Sequence, residues 1–185
     1  MRLGTLDWTP ALDHPDLLAA PVLAILQAAV GKGSEHERAA HAVLVTPIDP
    51  DLADTAAMTE AYDLPLEISG NCVLVAGSRA GEERVAACVV RATTRADVNT
   101  IVRKRLDVRK ASFLPMETAV ADSGMEYGGI TPIGLPDRYR VMLDATLVDA
   151  EHVIIGSGIR GSKLALPGSA LIALSRAEIV EGLGR

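Results

Sequence analysis

The chain has 185 residues, enough for one well-buried domain and too few for two comfortable ones. Apolar residues make up 49% of it and aromatics only 3%, so the core must be aliphatic and rings for base stacking are scarce. The net charge of −6 disfavours non-specific nucleic-acid binding, and no run is long and apolar enough to span a bilayer.

Met1–Pro15 reads as irregular and lacks the basic lead of a signal peptide, so the expectation is a cytoplasmic protein, which two cysteines fit. Asp16–Ala29 reads as a helix ended by Gly31–Gly33, Ala42–Ile48 as a strand and Asp51–Tyr62 as helical. Cys72–Ala76 and Arg84–Val90 are β-rich runs around Ser78–Glu82, the clearest hairpin. A turn centred near Ala80 places Cys72 opposite Cys88, as packed thiols rather than a redox bridge. Thr94–Leu106 reads as an amphipathic helix capped by Thr94, with Val98, Ile101, Val102 and Leu106 as its buried stripe. Pro115–Ser123 is a short helix closed by Gly124. Arg140–Leu143, His152–Ile155, Lys163–Leu166 and Glu178–Val180 read as strands, and Gly168–Leu174 as a helix. Irregular alternation with a hairpin predicts a mixed α/β (α+β) domain, with a mainly antiparallel mixed sheet and packed helices, over a doubly wound one.

Charge is uneven along the chain. Arg91–Lys110 carries Arg91, Arg95, Arg103, Lys104, Arg105, Arg109 and Lys110 against Asp97 and Asp107, a solvated helix face or a patch for a polyanion.

Familiar chemistry is missing. His36 and His41 are five apart, off the spacing that puts two ligands on one helix face, and there is no CxxC or HExxH, so no metal is expected. No GxSxG elbow surrounds Ser157. Gly156-Ser157-Gly158-Ile159-Arg160-Gly161 has a loose GxGxxG form, but an extended run follows it where a dinucleotide site needs a helix. No cofactor is expected. Two glycine-rich loops remain, Gly128–Pro136 and Gly156–Lys163. Glycines let main-chain N–H groups approach a ligand, and such loops can polarise a carbonyl without a side-chain nucleophile. Together, with Arg160, Ser162 and Lys163 on the second, they read as a ligand pocket.

At these residues the chain resembles the YbaK / prolyl-tRNA-synthetase-associated editing domain family. The resemblance runs from about Leu52 to Leu183. It is carried by Met116–Ala121, Gly124-Met125-Glu126, Gly128-Gly129-Ile130-Thr131-Pro132-Ile133-Gly134, Val141–Asp144, Gly156 to Leu164 and the closing Ala177–Gly182. It implies a curved sheet and hydrolysis of the ester joining a wrong amino acid to the 3′ adenosine of a tRNA, by backbone groups and the substrate's own ribose hydroxyl. Carried over to this chain, Gly128, Gly129, Thr131, Pro132 and Gly134 form the catalytic loop. Gly156, Gly158, Arg160, Ser162 and Lys163 seat the nucleotide end, and Arg103, Lys104 and Arg105 are candidates for acceptor-stem phosphates.

The chain departs from the family at Asn71, which aligns where the family commonly has a lysine that holds the substrate. Asn71 is expected to line the pocket without charge. The change implies altered substrate choice, weaker tRNA binding or lost editing, with Lys104 and Lys163 as candidate replacements. The leading expectation is a free-standing aminoacyl-tRNA deacylase acting on the tRNA 3′ end. The alternative is a non-catalytic tRNA- or nucleotide-binding module. Residues 1–33 are expected as an N-terminal extension with one helix, serving packing or a homodimer contact, and 34–185 as the editing domain.

Overall fold

A computed structural model describes residues 1–31 and 33–185; Lys32, inside the expected helix-ending segment, lies outside the described residues. Elements run in the order β1 (Arg2–Leu3), β2 (Leu6–Asp7), β3 (Thr9–Pro10), α1 (Ala20–Ala29), α2 (Glu35–His41), β4 (Leu44–Pro47), α3 (Thr55–Ala61), β5 (Gly70–Arg79) and β6 (Glu82–Arg91). A π-turn at Val98–Val102 then leads into α4 (Arg103–Arg105). There follow β7 (Ala111–Phe113), α5 (Met116–Ser123), β8 (Tyr139–Asp144), β9 (Val153–Gly156), β10 (Ser162–Leu166), α6 (Gly168–Ser175) and β11 (Glu178–Val180).

The mixed α/β architecture agrees with the sequence, and the strands of the described residues form two larger sheets besides a two-stranded β1-β2 pair. A mixed five-stranded sheet has the order β11-β8-β6-β5-β7, parallel across β11-β8-β6 and antiparallel across β6-β5-β7. An antiparallel four-stranded sheet has the order β3-β4-β10-β9, and a Ser69↔Ile154 bridge joins the two sheets beside β5. The core is aliphatic as expected. Leu26, Leu143, Leu147, Ile155, Leu164, Leu166 and Leu171 are each below 2% exposed, and full burial of such a side chain contributes roughly 1.5–3 kcal/mol. Residues 1–31 share this interior: β3 pairs with β4, and Val22, Leu26 and Ala29 of α1 join the largest cluster.

The structure corrects three local expectations. Ala80 and Gly81 both have positive φ and form a two-residue turn, so Arg79 pairs with Glu82 and the register differs by one residue from a turn centred on Ala80. Cys72 therefore sits opposite Val89 and Cys88 opposite Val73, which sends the thiols to opposite faces of the sheet. The helix expected from Thr94 begins at Val98 because Asp97 caps it, its carboxylate accepting the Thr100 N–H at 3.0 Å. Residues 95–97 instead pair with the chain end through Arg95–Arg185 and Asp97–Leu183 hydrogen bonds. Asp16–Ala29 divides into a 3-10 turn, Pro15–Leu17, and α1, with Pro21 in the first turn of α1 where its missing N–H costs nothing.

Candidate active site

β7 pairs with β5 only from Val75 to Gly77 and β9 meets its start at the Ser69–Ile154 bridge, leaving Asn71–Val73 without a strand partner between them among the described residues. Leu114 N–H donates to Leu74 O at 2.9 Å, so by strand alternation the Cys72 peptide groups face the same open edge. A cavity of about 920 Å³ opens there, lined by Asn71 and Cys72 of β5, Asp54 and Thr55 at the start of α3, Gly128, Ile130, Gly156, Arg160 and Lys163. That volume suits a small-molecule site.

The two glycine loops interlock at its floor. Gly158 N–H donates to Gly129 O and Glu126 N–H to Gly158 O, both at 2.8 Å. The loops touch so closely that a Cβ on Gly156 would lie 2.1 Å from Gly129 O, and one on Gly129 would lie 2.5 Å from Ile159 O. Only glycine fits at either position. Arg160 clamps the arrangement, with Nη1 donating to Tyr127 O at 3.1 Å and Nη2 to Pro50 O at 2.9 Å. Its backbone N–H donates to Glu126 Oε2 at 2.6 Å. Gly128 and Ile130, which line the cavity, have N–H groups with no acceptor among the described residues.

Lys163 is the buried cation of the site, 5% exposed because β10 is sandwiched between β4 and β9. Its Nζ donates to Ala53 O at 2.8 Å and lies 3.4 Å from Gly128 O, which leaves a third N–H for a ligand. Burial pushes its pKa down to about 8; Asp54 opposes the shift and Arg160 adds to it. Asn71 accepts a hydrogen bond from Thr55 Oγ1 at 2.8 Å on Oδ1, so its amide N–H groups remain as donors. The Cys72 thiol is pushed far up by burial, which removes it as a thiolate nucleophile.

Of the expected site residues, the cavity gathers Asn71, Gly128, Gly156, Arg160 and Lys163. The others lie outside its lining. Thr131 is fully buried off the cavity, its N–H 3.5 Å from Met125 Sδ. Pro132 and Gly134 turn toward a separate hollow, and Gly134 packs on the Pro21 backbone. Gly158 packs against Ala19. Ser162 is buried with its hydroxyl on Leu17 O at 2.6 Å, so it anchors the N-terminal segment rather than a nucleotide. Arg103, Lys104 and Arg105 are absent from the cavity lining; Arg103 Nε bonds Asn99 O at 2.8 Å and Arg105 pairs with Glu178 at 3.3 Å.

Sequence reasoning missed Ser69, whose buried hydroxyl lines the cavity with no partner among the described residues. It also missed the rim of Phe113, Met116 and Tyr127, each more than half exposed. No group of His, Cys, Asp and Glu able to hold a metal occurs among the described residues, and no helix there is long and apolar enough to cross a membrane.

Comparison with known proteins bears on the fold and the family. Among solved structures, a candidate trans-editing enzyme for prolyl tRNA synthetase superposes with a TM-score of 0.69 at 15% identity, covering 89% of this chain and 97% of that one. A scaffold protein used for epitope backbone grafting gives 0.71 at 15% identity, covering 88% and 95%. A hypothetical protein gives 0.68 at 16% identity, covering 80% and 95%. At these identities the likeness establishes the fold. Residues 49–174 match the aminoacyl-tRNA editing domain, and the chain belongs to that family.

Proposed function

We propose that the chain is a deacylase that hydrolyses the ester of a mischarged tRNA. The observation that carries this reading is the buried Lys163 ammonium on the wall of a cavity also lined by Gly128 and Ile130, whose N–H groups have no acceptor among the described residues. Water attacks the acyl carbon, and the carbonyl oxygen takes up negative charge opposite those donors. The acyl C–O bond then breaks, the 3′ oxygen leaves with a proton relayed through the neighbouring ribose hydroxyl, and a free amino acid departs. Fixed donors aimed at developing charge are worth about 3–4 kcal/mol each in such reactions. An activated ester needs little more than that and a positioned water. Lys163 and the Asn71 amide hold the substrate, and exposed Lys104 contacts the acceptor stem outside the cavity.

The neutral Asn71, already tied to Thr55, favours a second reading as a binding module without turnover. A panel of mischarged tRNAs separates the two. Hydrolysis above the spontaneous rate for at least one ester supports the deacylase, and none at enzyme excess removes it.

A further inference from the structure

The chain spends aromatic residues sparingly: one Phe, one Trp and three Tyr. Two of those five rings are held in water at the mouth of the same cavity, Phe113 at 61% exposed and Tyr127 at 57%, with Met116 beside them at 53%. Folding alone gives no reason to leave them there, since each loses the stabilisation of burial. Their positions are fixed from behind. Phe113 ends β7 in register with Val75, Met116 opens α5, and the Tyr127 carbonyl is gripped by Arg160 at 3.1 Å.

We propose that this rim is the platform for the terminal nucleobase of the tRNA, resting on the deacylase reading above. With the ester at Gly128 and Lys163, the acyl group points into the cavity and the nucleoside must lie across its mouth. The wall formed by residues 51–54 carries Asp51 and Asp54, which repel phosphate and suit the α-ammonium of the aminoacyl group. The exposed apolar rim, which carries no charge, takes the uncharged base. A base stacks on Phe113 and Tyr127 and slides against Met116, which recognises a flat π-surface without reading its hydrogen-bond edge.

Stacking is worth about 1–3 kcal/mol per base, or roughly 5- to 150-fold in affinity. The probes are 3′-deoxy-3′-(L-alanylamido)adenosine, whose amide resists hydrolysis, and the same compound without its base. Calorimetric titration of the wild-type chain is expected to favour the adenosine compound by tenfold or more. In a Phe113→Ala/Tyr127→Ala variant the preference is expected to shrink to about twofold, and Phe113→Trp restores it. Both substitutions are at exposed positions and leave the denaturation midpoint nearly unchanged. An equal base preference in wild type and double variant overturns the proposal, as does a wild type that binds neither compound. A dimer that forms at micromolar concentration and is abolished by Phe113→Ala also overturns it, since the rim would then cover a second copy. Turnover of mischarged tRNA is read separately. A wild type that shows the base preference yet hydrolyses nothing leaves the platform standing and removes the deacylase.

Discussion

Adding one methyl group at Gly156 tests the interlock of the two loops. In Gly156→Ala the new Cβ meets Gly129 O at 2.1 Å, Gly129 C at 2.7 Å and Ile130 O at 2.9 Å. All three are backbone atoms, so no rotamer change relieves the clash, and the Gly128–Ile130 loop must retreat by more than about 1 Å to reach ordinary contact. That retreat removes the Gly158 N–H bond to Gly129 O, now 2.8 Å, and draws Gly128 O away from Lys163. Overpacking costs about 1–3 kcal/mol and the lost hydrogen bond about 1, giving roughly 2–4 kcal/mol. Urea denaturation reads this as a midpoint lowered by about 1 M or more at unchanged slope. A 1 Å displacement of the donors is expected to reduce deacylation about 100-fold. Gly161→Ala in the same loop is the control, because its nearest neighbour is Pro50 Cγ at 3.8 Å; it is expected within about 1 kcal/mol of wild type. Wild-type midpoint and activity in Gly156→Ala would refute the interlock.

Lys163 predicts two pH effects. Its folded pKa of about 8 lies below the ordinary 10.5, so its contribution to stability rises with pH across that window by up to about 3 kcal/mol. The stability of a Lys163→Met variant relative to wild type is therefore expected to fall as pH rises from about 8 to 10.5; a constant difference in denaturation midpoints contradicts the burial argument. Taking the difference cancels the cysteines, whose raised pKa values act with the opposite sign. In wild type kcat/KM, corrected for spontaneous hydrolysis, is expected to fall above about pH 8, with a flat, lower profile in Lys163→Met. Asn71→Lys breaks the Thr55 bond and brings a second ammonium into a cavity that already holds Lys163, so deacylation is expected to fall; a gain from an inert wild type would establish the binding-module reading. Cys72 and Cys88 are expected to titrate as two free thiols after mild oxidation, and a disulfide between them would contradict the register.

The hairpin shows what the sequence carries and what it lacks. Both strands are plain in its β-branched runs, but their parity hangs on whether Ala80 alone or Ala80 and Gly81 together make the turn, and that decides which core each thiol enters. Helix α2 carries little apolar signal in the sequence because Ala39 and Ala40 are its only buried residues. The Ser34–Glu37 spacing of a capping box was the available signal, although Glu37 in fact accepts from Gly31 and Gly33 N–H groups. At the site, clustered glycines announce themselves in the chain, and Gly128 and Gly156 do reach the cavity. The burial of Lys163 depends on β10 being central in its sheet, which is a property of strand order and not of local pattern. The charges of Arg103 and Arg105 looked free in the sequence, yet both side chains are engaged within the fold.

Single-turnover hydrolysis of the best mischarged tRNA from the panel, with enzyme in excess, for wild type and Gly156→Ala side by side is the most direct test. Release of the amino acid is expected at least about 100-fold above the spontaneous rate in wild type and near that rate in the variant. Wild-type release at the spontaneous rate for every ester, or undiminished release by Gly156→Ala, would contradict this expectation.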